Sequence, residues 1–167
     1  MARPARFHRP IVNVALREIA GDDAAWLDTW LGAVAESVGY DAINTADAAA
    51  SLVGRLRAEP ALRARIIERD GASVGAIVYR LHAPRRDASM IEFVGTPPAE
   101  ARRGSGMAAA ALVERDMRDA GTKIAYAPTP DRHGIAIYFW IRLGYRPLPS
   151  AEWPCGREGV AWMARRL

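Results

Sequence analysis

A basic, glycine-rich turn at residues 103–108 has the residue types that could bind a phosphate group. Its members are Arg103, Gly104, Ser105, Gly106, Met107 and Ala108. The turn follows an apolar run at residues 90–94, which is typical of a strand, and precedes a segment with helical periodicity. A turn of this kind at the start of a helix presents unpaired backbone N–H groups at the positive end of the helix dipole. The sequence therefore predicts an anion site here.

The helical segment after the turn carries one apolar face. Small and aliphatic side chains recur there at spacings of three and four residues: Gly106, Ala109, Ala110, Val113, Met117 and Ala120. Charged residues occupy the opposite side, and Gly121 stands where a helix-terminating glycine is expected. The order strand, turn, helix follows from these local patterns.

The glycine spacing excludes two familiar nucleotide-binding loops. No Lys-Ser or Lys-Thr follows the second glycine, so the turn is not a P-loop, and it lacks the Gly-x-Gly-x-x-Gly of dinucleotide-binding folds. What is left is Arg-x-x-Gly-x-Ala, formed by Arg103, Gly106 and Ala108. This pattern resembles the acyl-CoA pyrophosphate loop of the GNAT superfamily of N-acetyltransferases.

A second block, residues 136–145, resembles the late helix and turn of the same family, which commonly reads Ala-x-x-x-Tyr-x-x-x-Gly-Phe. The sequence departs from that pattern at Trp140, which occupies the place of the tyrosine that serves the family as general acid. An indole N–H cannot release a proton near neutral pH. Tyr138 lies about 200° around the helix from Trp140 and is not expected to replace it. Trp140 is expected to pack against the pantetheine arm.

The pattern along the chain, together with the resemblance, predicts an α+β fold. We expect one GNAT-like domain over residues 1–167, with a central mixed, mostly antiparallel sheet flanked by helices. One parallel strand–helix–strand crossover joins residues 90–94 to residues 122–126. The other predicted strands span residues 11–17, 62–69, 74–81 and 160–164, and the other helices span residues 22–38, 44–57 and the late block. Asp70-Gly71 predicts a hairpin turn, and Asp22 a helix N-cap.

The resemblance implies direct attack of a primary amine on acetyl-CoA in a ternary complex, with no metal. The backbone near Val94 and Thr96 would hold the pantetheine and the acetyl carbonyl. The amides of residues 103–108 would bind the pyrophosphate, with Arg103 adding charge. The acceptor would be a small molecule or a peptide, and a homodimer is common in the family.

The general base is open at this point. Glu92 lies on the strand beside the expected acetyl group, although it could equally be paired with a nearby arginine. Glu100, His82 and His133 are alternatives, the histidines through a water molecule, whereas His8 is close to the chain terminus.

Two further segments have both a structural and a functional interpretation. A stripe containing Trp26 and Trp30 is typical of a core helix, but the resemblance also places this region at the acceptor pocket. The loop at residues 152–157 could close over the acceptor or simply pack on the surface. A covalent role for its Cys155 is not favoured, because no base stands beside it in sequence.

Composition bounds the remaining possibilities. The chain is 50% hydrophobic and 25% charged, with a net charge of +4, a balance that suits a globular protein and an anionic cofactor. The abundance of arginine suggests a GC-rich bacterial genome. Because the arginines are interspersed with acidic residues, the sequence does not favour a nucleic acid as partner. No apolar run reaches the roughly 18 residues of a membrane span. A single cysteine and the absence of an apolar leader predict a cytoplasmic protein.

Two hypotheses compete with an N-acetyltransferase that acts on a small molecule or peptide. The tryptophan at position 140 favours an acyl-CoA-binding module that is catalytically weak or inactive. The basic sequence pI of about 9.7 leaves acylation directed by a nucleic acid as a third hypothesis.

Overall fold

The computed structural model describes residues 13–156 and 158–167. The strands in this part of the chain are β1 (Val14–Glu18), β2 (Leu62–Arg69), β3 (Ala72–Arg80), β4 (Ala88–Gly95), β5 (Ile124–Pro130), β6 (Arg146–Pro147) and β7 (Val160–Arg166). The helices are α1 (Asp23–Asp28), α2 (Leu31–Ser37), α3 (Ala48–Ala58), α4 (Ser105–Asp119) and α5 (Gly134–Arg142). None of the described helices has the length and apolar character that crossing a membrane requires.

The strands form one mixed sheet in the order β1-β2-β3-β4-β5-β7-β6. Only the β4–β5 pair is parallel among the described strands, and α4 makes the crossover between them. The predicted mostly antiparallel sheet and its crossover are therefore confirmed. The hairpin between β2 and β3 turns at Asp70 and Gly71, both of which have positive φ, as the Asp-Gly pair predicts.

Helix α4 buries the apolar face that its periodicity predicts. Ala109, Ala110, Val113 and Met117 are fully buried in a cluster against one face of the sheet. The helix ends before Gly121, whose φ of +84° is the left-handed conformation of a C′ glycine. Helices α1 to α3 cover the opposite face of the sheet with a second apolar cluster, which contains Trp30 and Phe93.

The N-terminal helical region differs from its prediction. The single helix expected over residues 22–38 is divided at Thr29 and Trp30, and Trp30 has a non-helical φ of −146° and a buried side chain. A contact between distant segments accounts for the break. Asp28 accepts a hydrogen bond from the Ala49 amide (2.8 Å), which holds the start of α3 against the end of α1. Asp22 stands at the N-cap position of α1, as predicted, but its side chain makes no capping hydrogen bond.

Other boundaries also differ from their predictions, as three examples show. Helix α3 begins at Ala48, because the Asn44 side chain accepts from the Ala46 amide and forms a turn instead of a helix cap. Strand β5 runs to Pro130 and begins at Ile124, two residues later than predicted. Of the first predicted strand, residues 11 and 12 lie outside the described residues, and β1 continues to Glu18.

Candidate functional site

The two parallel strands separate to form a cleft through the sheet. Strands β4 and β5 pair only at their first residues, ending with Met90 opposite Tyr126. Beyond that point β5 pairs with β7 alone, which is why Pro128 and Pro130 are tolerated in it. A cavity of about 490 Å³ occupies the gap. Its walls come from β4, β5, β7, α5 and the α2–α3 loop.

A β-bulge in β4 turns Glu92 into this cleft. Val78 of β3 pairs with Phe93, and Tyr79 pairs with Ile91, so Glu92 is the additional residue on β4. As a result Ile91 packs into the cluster on the α4 face, while Phe93 packs into the cluster on the α1–α3 face. The predicted base candidate therefore lines the cleft.

The glycine-rich turn meets the cleft at the start of α4. Gly104 has a φ of +83°, which favours glycine, and its carbonyl accepts from the Ala108 amide (3.1 Å). The first hydrogen bond of the helix thus uses the Ala108 N–H. The N–H groups of Ser105, Gly106 and Met107, which precede it, have no partner within the helix. A Cβ added to Gly106 would lie 3.2 Å from the Val94 Cγ1 atom, so this glycine allows close packing on β4. Val94 in turn lines the cleft.

Charged side chains surround the turn. Arg103 is exposed, and its Nη1 lies 3.4 Å from the Glu100 Oε2 atom, which also accepts from Arg69 Nη2 at 2.5 Å. Arg69 Nη1 donates to the hydroxyl of Ser105 (3.3 Å). Glu100, an alternative base in the sequence, is thus held at the turn and does not line the cleft. Thr96 does not line it either; its methyl group lies against Gly75 of β3.

Glu92 is held by three hydrogen-bond donors. The Tyr40 hydroxyl donates to Oε2 (2.8 Å), Arg55 Nη2 approaches the same atom (3.3 Å), and Arg80 Nε donates to Oε1. Tyr40 accepts from Arg55 Nη1 in turn (2.5 Å). Burial, followed by the negative charge of Glu92, raises the pKa of Tyr40 above its usual range, so the phenol is a neutral donor. The structure therefore shows Glu92 paired with two arginines, while its carboxylate also lines the cleft.

The network extends to Glu59 at the end of α3. Arg55 Nε donates to Glu59 Oε1 (2.9 Å), and Arg80 Nη2 binds Glu59 Oε2. The hydrogen bond from Arg80, with further help from Arg55, lowers the pKa of Glu59. No feature of the sequence indicated Tyr40, Arg55 and Arg80. These residues lie on separate elements, and no local pattern shows that they bind the same carboxylate.

Trp140 borders the cleft from α5. Its indole is buried against Phe139 and Tyr145, with ring centroids 4.9 Å away in each case. Tyr138 is 61% exposed and lies beside Arg142 on the outer side of α5, as the helix geometry predicts. Tyr138 is therefore not a substitute for the missing tyrosine.

The histidine candidates have structural partners. His133 lines the cleft, but its Nδ1 atom caps α5 by accepting from the Ala136 amide (3.1 Å). His82 Nδ1 lies 2.8 Å from the Arg86 carbonyl oxygen, away from the cleft lining. His8 lies outside the described residues. Among the described residues no cluster of His, Cys, Asp or Glu could hold a metal ion.

The remaining candidates divide between core and cleft. Trp26 and Trp30 pack edge to face (5.3 Å between centroids), and neither lines the cleft. In the late loop, Trp153 donates its indole N–H to the Leu148 carbonyl (3.0 Å), whereas Cys155 borders the cleft. This loop is both packed on the surface and part of the site.

Comparisons with known proteins identify the architecture. No family model and no curated protein sequence matches the chain. An acetyltransferase from Thermus thermophilus superposes with a TM-score of 0.74 at 18% identity, covering 93% of this chain and 97% of that one. A GNAT-family acetyltransferase from Staphylococcus aureus gives 0.71 at 12% identity, covering 92% and 99%.

The aminoglycoside acetyltransferase AAC(6′)-Ib, in complex with coenzyme A, also gives a TM-score of 0.71, at 18% identity, covering 92% of this chain and 95% of that one. A second structure of that enzyme contains kanamycin as well. The mixed sheet, its single parallel pair and its flanking helices are shared with these proteins, and the chain has the fold of the GNAT acetyltransferases.

Proposed function

We propose that the protein is an N-acyltransferase that moves the acetyl group of acetyl-CoA to a primary amine of a small molecule or peptide in a ternary complex. The observation that carries this proposal is the cleft between β4 and β5, with the start of α4 packed on β4 at Val94. This arrangement supports an anion site at the glycine-rich turn, next to an apolar cleft. Solved proteins of this fold that bind coenzyme A support the same assignment.

The proposed cofactor contacts lie on the α4 face of the sheet. The free amides of Ser105, Gly106 and Met107 bind the pyrophosphate, and the exposed Arg103 adds a positive charge. Gly104 supplies the left-handed turn, and the Ala108 N–H closes the helix behind it. The pantetheine arm then follows the edge of β4 at Val94, with Trp140 as an apolar wall, and reaches toward the backbone of Thr96 just beyond the end of the strand.

The chemistry requires a neutral amine and an acceptor for its proton. The amine nitrogen forms a bond to the acetyl carbon, the carbon–sulfur bond breaks, and CoA departs as a thiolate that takes a proton from solvent. In this scheme Glu92 receives the proton of the attacking amine, directly or through a water molecule. Its two arginines and Tyr40 fix its orientation in the cleft.

A catalytically weak or inactive acyl-CoA-binding module is the second candidate. The buried indole of Trp140 favours it, because that position offers the departing thiolate no acidic hydroxyl. Such a module would bind acetyl-CoA through the same turn and release no thiol with any amine.

Calorimetric titration with acetyl-CoA, followed by a thiol-release assay with an amine panel, tests both candidates. We expect saturable binding that Arg103→Glu weakens at least tenfold. Arg115→Glu, the same charge change on an exposed position of α4 further from the turn, should bind as the wild type does. Absence of binding by the wild type would refute both candidates, and binding without thiol release would favour the module.

A further inference from the structure

The cleft has two sides, one on each face of the sheet. Val94, Phe139 and Trp140 border the side that faces α4 and α5, next to the glycine-rich turn. The other side opens toward α1–α3 and the late loop. We call it the acceptor chamber and define it by Tyr40, Met90, Glu92, Pro130, Cys155 and Trp162. If acetyl-CoA enters from the α4 side, an amine reaches the acetyl group from the chamber.

The chamber walls are mainly apolar. Met90 packs with Trp162 and Val160 in one apolar cluster, and Phe93 carries the stacked ring of Tyr40 (5.2 Å between centroids). Such walls stabilise an aromatic or aliphatic body by removing its surface from water. They offer few partners to a molecule that carries many hydroxyl or amino groups.

The charged groups of the chamber neutralise one another. Arg55, Arg80 and Glu92 are the charged side chains among the described lining residues, and the two arginines share Glu59 as well as Glu92. Two positive and two negative charges therefore form a closed group. Glu92, the proposed base for the attacking amine, is the only carboxylate among the described lining residues. A second ammonium on the acceptor would therefore lack a carboxylate partner, and an unpaired ammonium in an apolar site is costly.

The α2–α3 loop limits the size of the chamber. At Gly39 (φ +67°) an added Cβ would lie 2.8 Å from Pro130 Cγ, so the loop touches the end of β5 across the gap. The whole cleft measures about 490 Å³, which the acetyl-bearing arm of the cofactor must share. An acceptor in the chamber shares this space with that arm, which favours a compact molecule.

From these three features we infer that the acceptor is a compact amine with an apolar body and a single positive charge, such as an arylalkylamine. The same features disfavour polyamines and aminoglycosides, which carry several positive charges. The inference rests on the proposed function for the reaction, but it concerns the binding of the amine and can be tested apart from turnover.

The test is calorimetric titration of three amines into the protein, both free and loaded with CoA, which contains no acetyl group to transfer. The probes are 2-phenylethylamine, spermidine and kanamycin. We expect 2-phenylethylamine to bind at least tenfold more tightly than the other two. Equal or tighter binding of spermidine or kanamycin, or no binding of 2-phenylethylamine, would overturn the inference. Binding of 2-phenylethylamine without thiol release from acetyl-CoA, with this amine or with any member of the amine panel, would overturn the transferase proposal alone.

A designed charge provides an independent check. Cys155 is exposed and borders the chamber, so Cys155→Glu adds an unpaired carboxylate with little risk to folding. We expect this variant to raise the affinity for spermidine relative to 2-phenylethylamine by about tenfold, while the uncharged Cys155→Gln leaves the ratio unchanged. An unchanged ratio in Cys155→Glu would show that amines do not bind in the chamber.

Discussion

Glu59 and Glu92 bind the same two guanidinium groups, although one lies at the end of α3 and the other in the bulge of β4. Arg55 and Arg80 each contact both carboxylates. The two acids differ in one respect that bears on function: Glu92 lines the cleft, and Glu59 does not. A comparison of the two acids can therefore distinguish a role in holding the arginines from a role as general base.

Replacing each acid by its amide tests the base assignment. We expect Glu92→Gln to lower kcat about 100-fold or more, because a positioned general base contributes that much. Glu59→Gln disturbs the same arginines and should leave kcat close to that of the wild type. Thiol-release kinetics and thermal unfolding of both variants provide the measurement. Equal losses of kcat in the two variants would instead assign Glu92 to positioning the arginines.

The indole at position 140 has a matched pair of replacements. Trp140→Phe and Trp140→Tyr leave similar cavities beside Tyr145, so each should lower the free energy of unfolding by about 1–3 kcal/mol. They differ only in a hydroxyl group. We expect the tyrosine variant to exceed the phenylalanine variant in kcat by at least tenfold, because it can protonate the thiolate. Identical rates would show that thiolate protonation does not limit turnover.

Gly39 is expected to be intolerant of a side chain. Gly39→Ala combines a left-handed backbone with a Cβ 2.8 Å from Pro130, so we expect a loss of about 1–3 kcal/mol in unfolding free energy. The affinity for acetyl-CoA should be unchanged, since the turn lies on the other face of the sheet. Gly54→Ala is the control, because nothing lies within 4 Å of its Cβ position. Chemical denaturation and calorimetry would measure both effects.

A partly buried ion pair between Arg17 and Asp23 makes stability depend on acid pH. Two hydrogen bonds from Arg17 (2.6 and 2.7 Å) lower the pKa of Asp23, and the Ala20 amide adds a third. Because the folded pKa lies below the unfolded one, the contribution is present above the unfolded pKa of about 3.9. It is lost as the pH falls through the folded pKa.

We therefore expect Asp23→Asn to cost about 2 kcal/mol of unfolding free energy at neutral pH. The difference in unfolding free energy between the variant and the wild type should shrink as the pH falls below the usual pKa range of aspartate. Asp22→Asn is the control, because Asp22 makes no side-chain cap. Urea titrations across this pH range give the comparison, and a constant difference at all pH values would contradict the assignment.

The sequence by itself determined the elements that depend on neighbours along the chain. The face of α4 follows from spacings of three and four residues, and Gly121 ends it because glycine adopts positive φ without strain. Asp70 and Gly71 fix the β2–β3 turn for the same reason. The glycine-rich turn could also be located in this way, since its amides are free wherever a helix begins.

Only the tertiary structure decided what surrounds Glu92. Tyr40 and Arg55 lie 52 and 37 residues from it along the chain, and the bulge that turns it into the cleft depends on the register of β4 against β3. The break at Trp30 has a similar origin, because burial of that side chain and the Asp28 bond to α3 outweigh a local preference for helix. Contacts between distant segments produce no pattern in the sequence, so the acceptor chamber could not be predicted. The glycine-rich turn could be predicted, because it depends only on neighbouring residues.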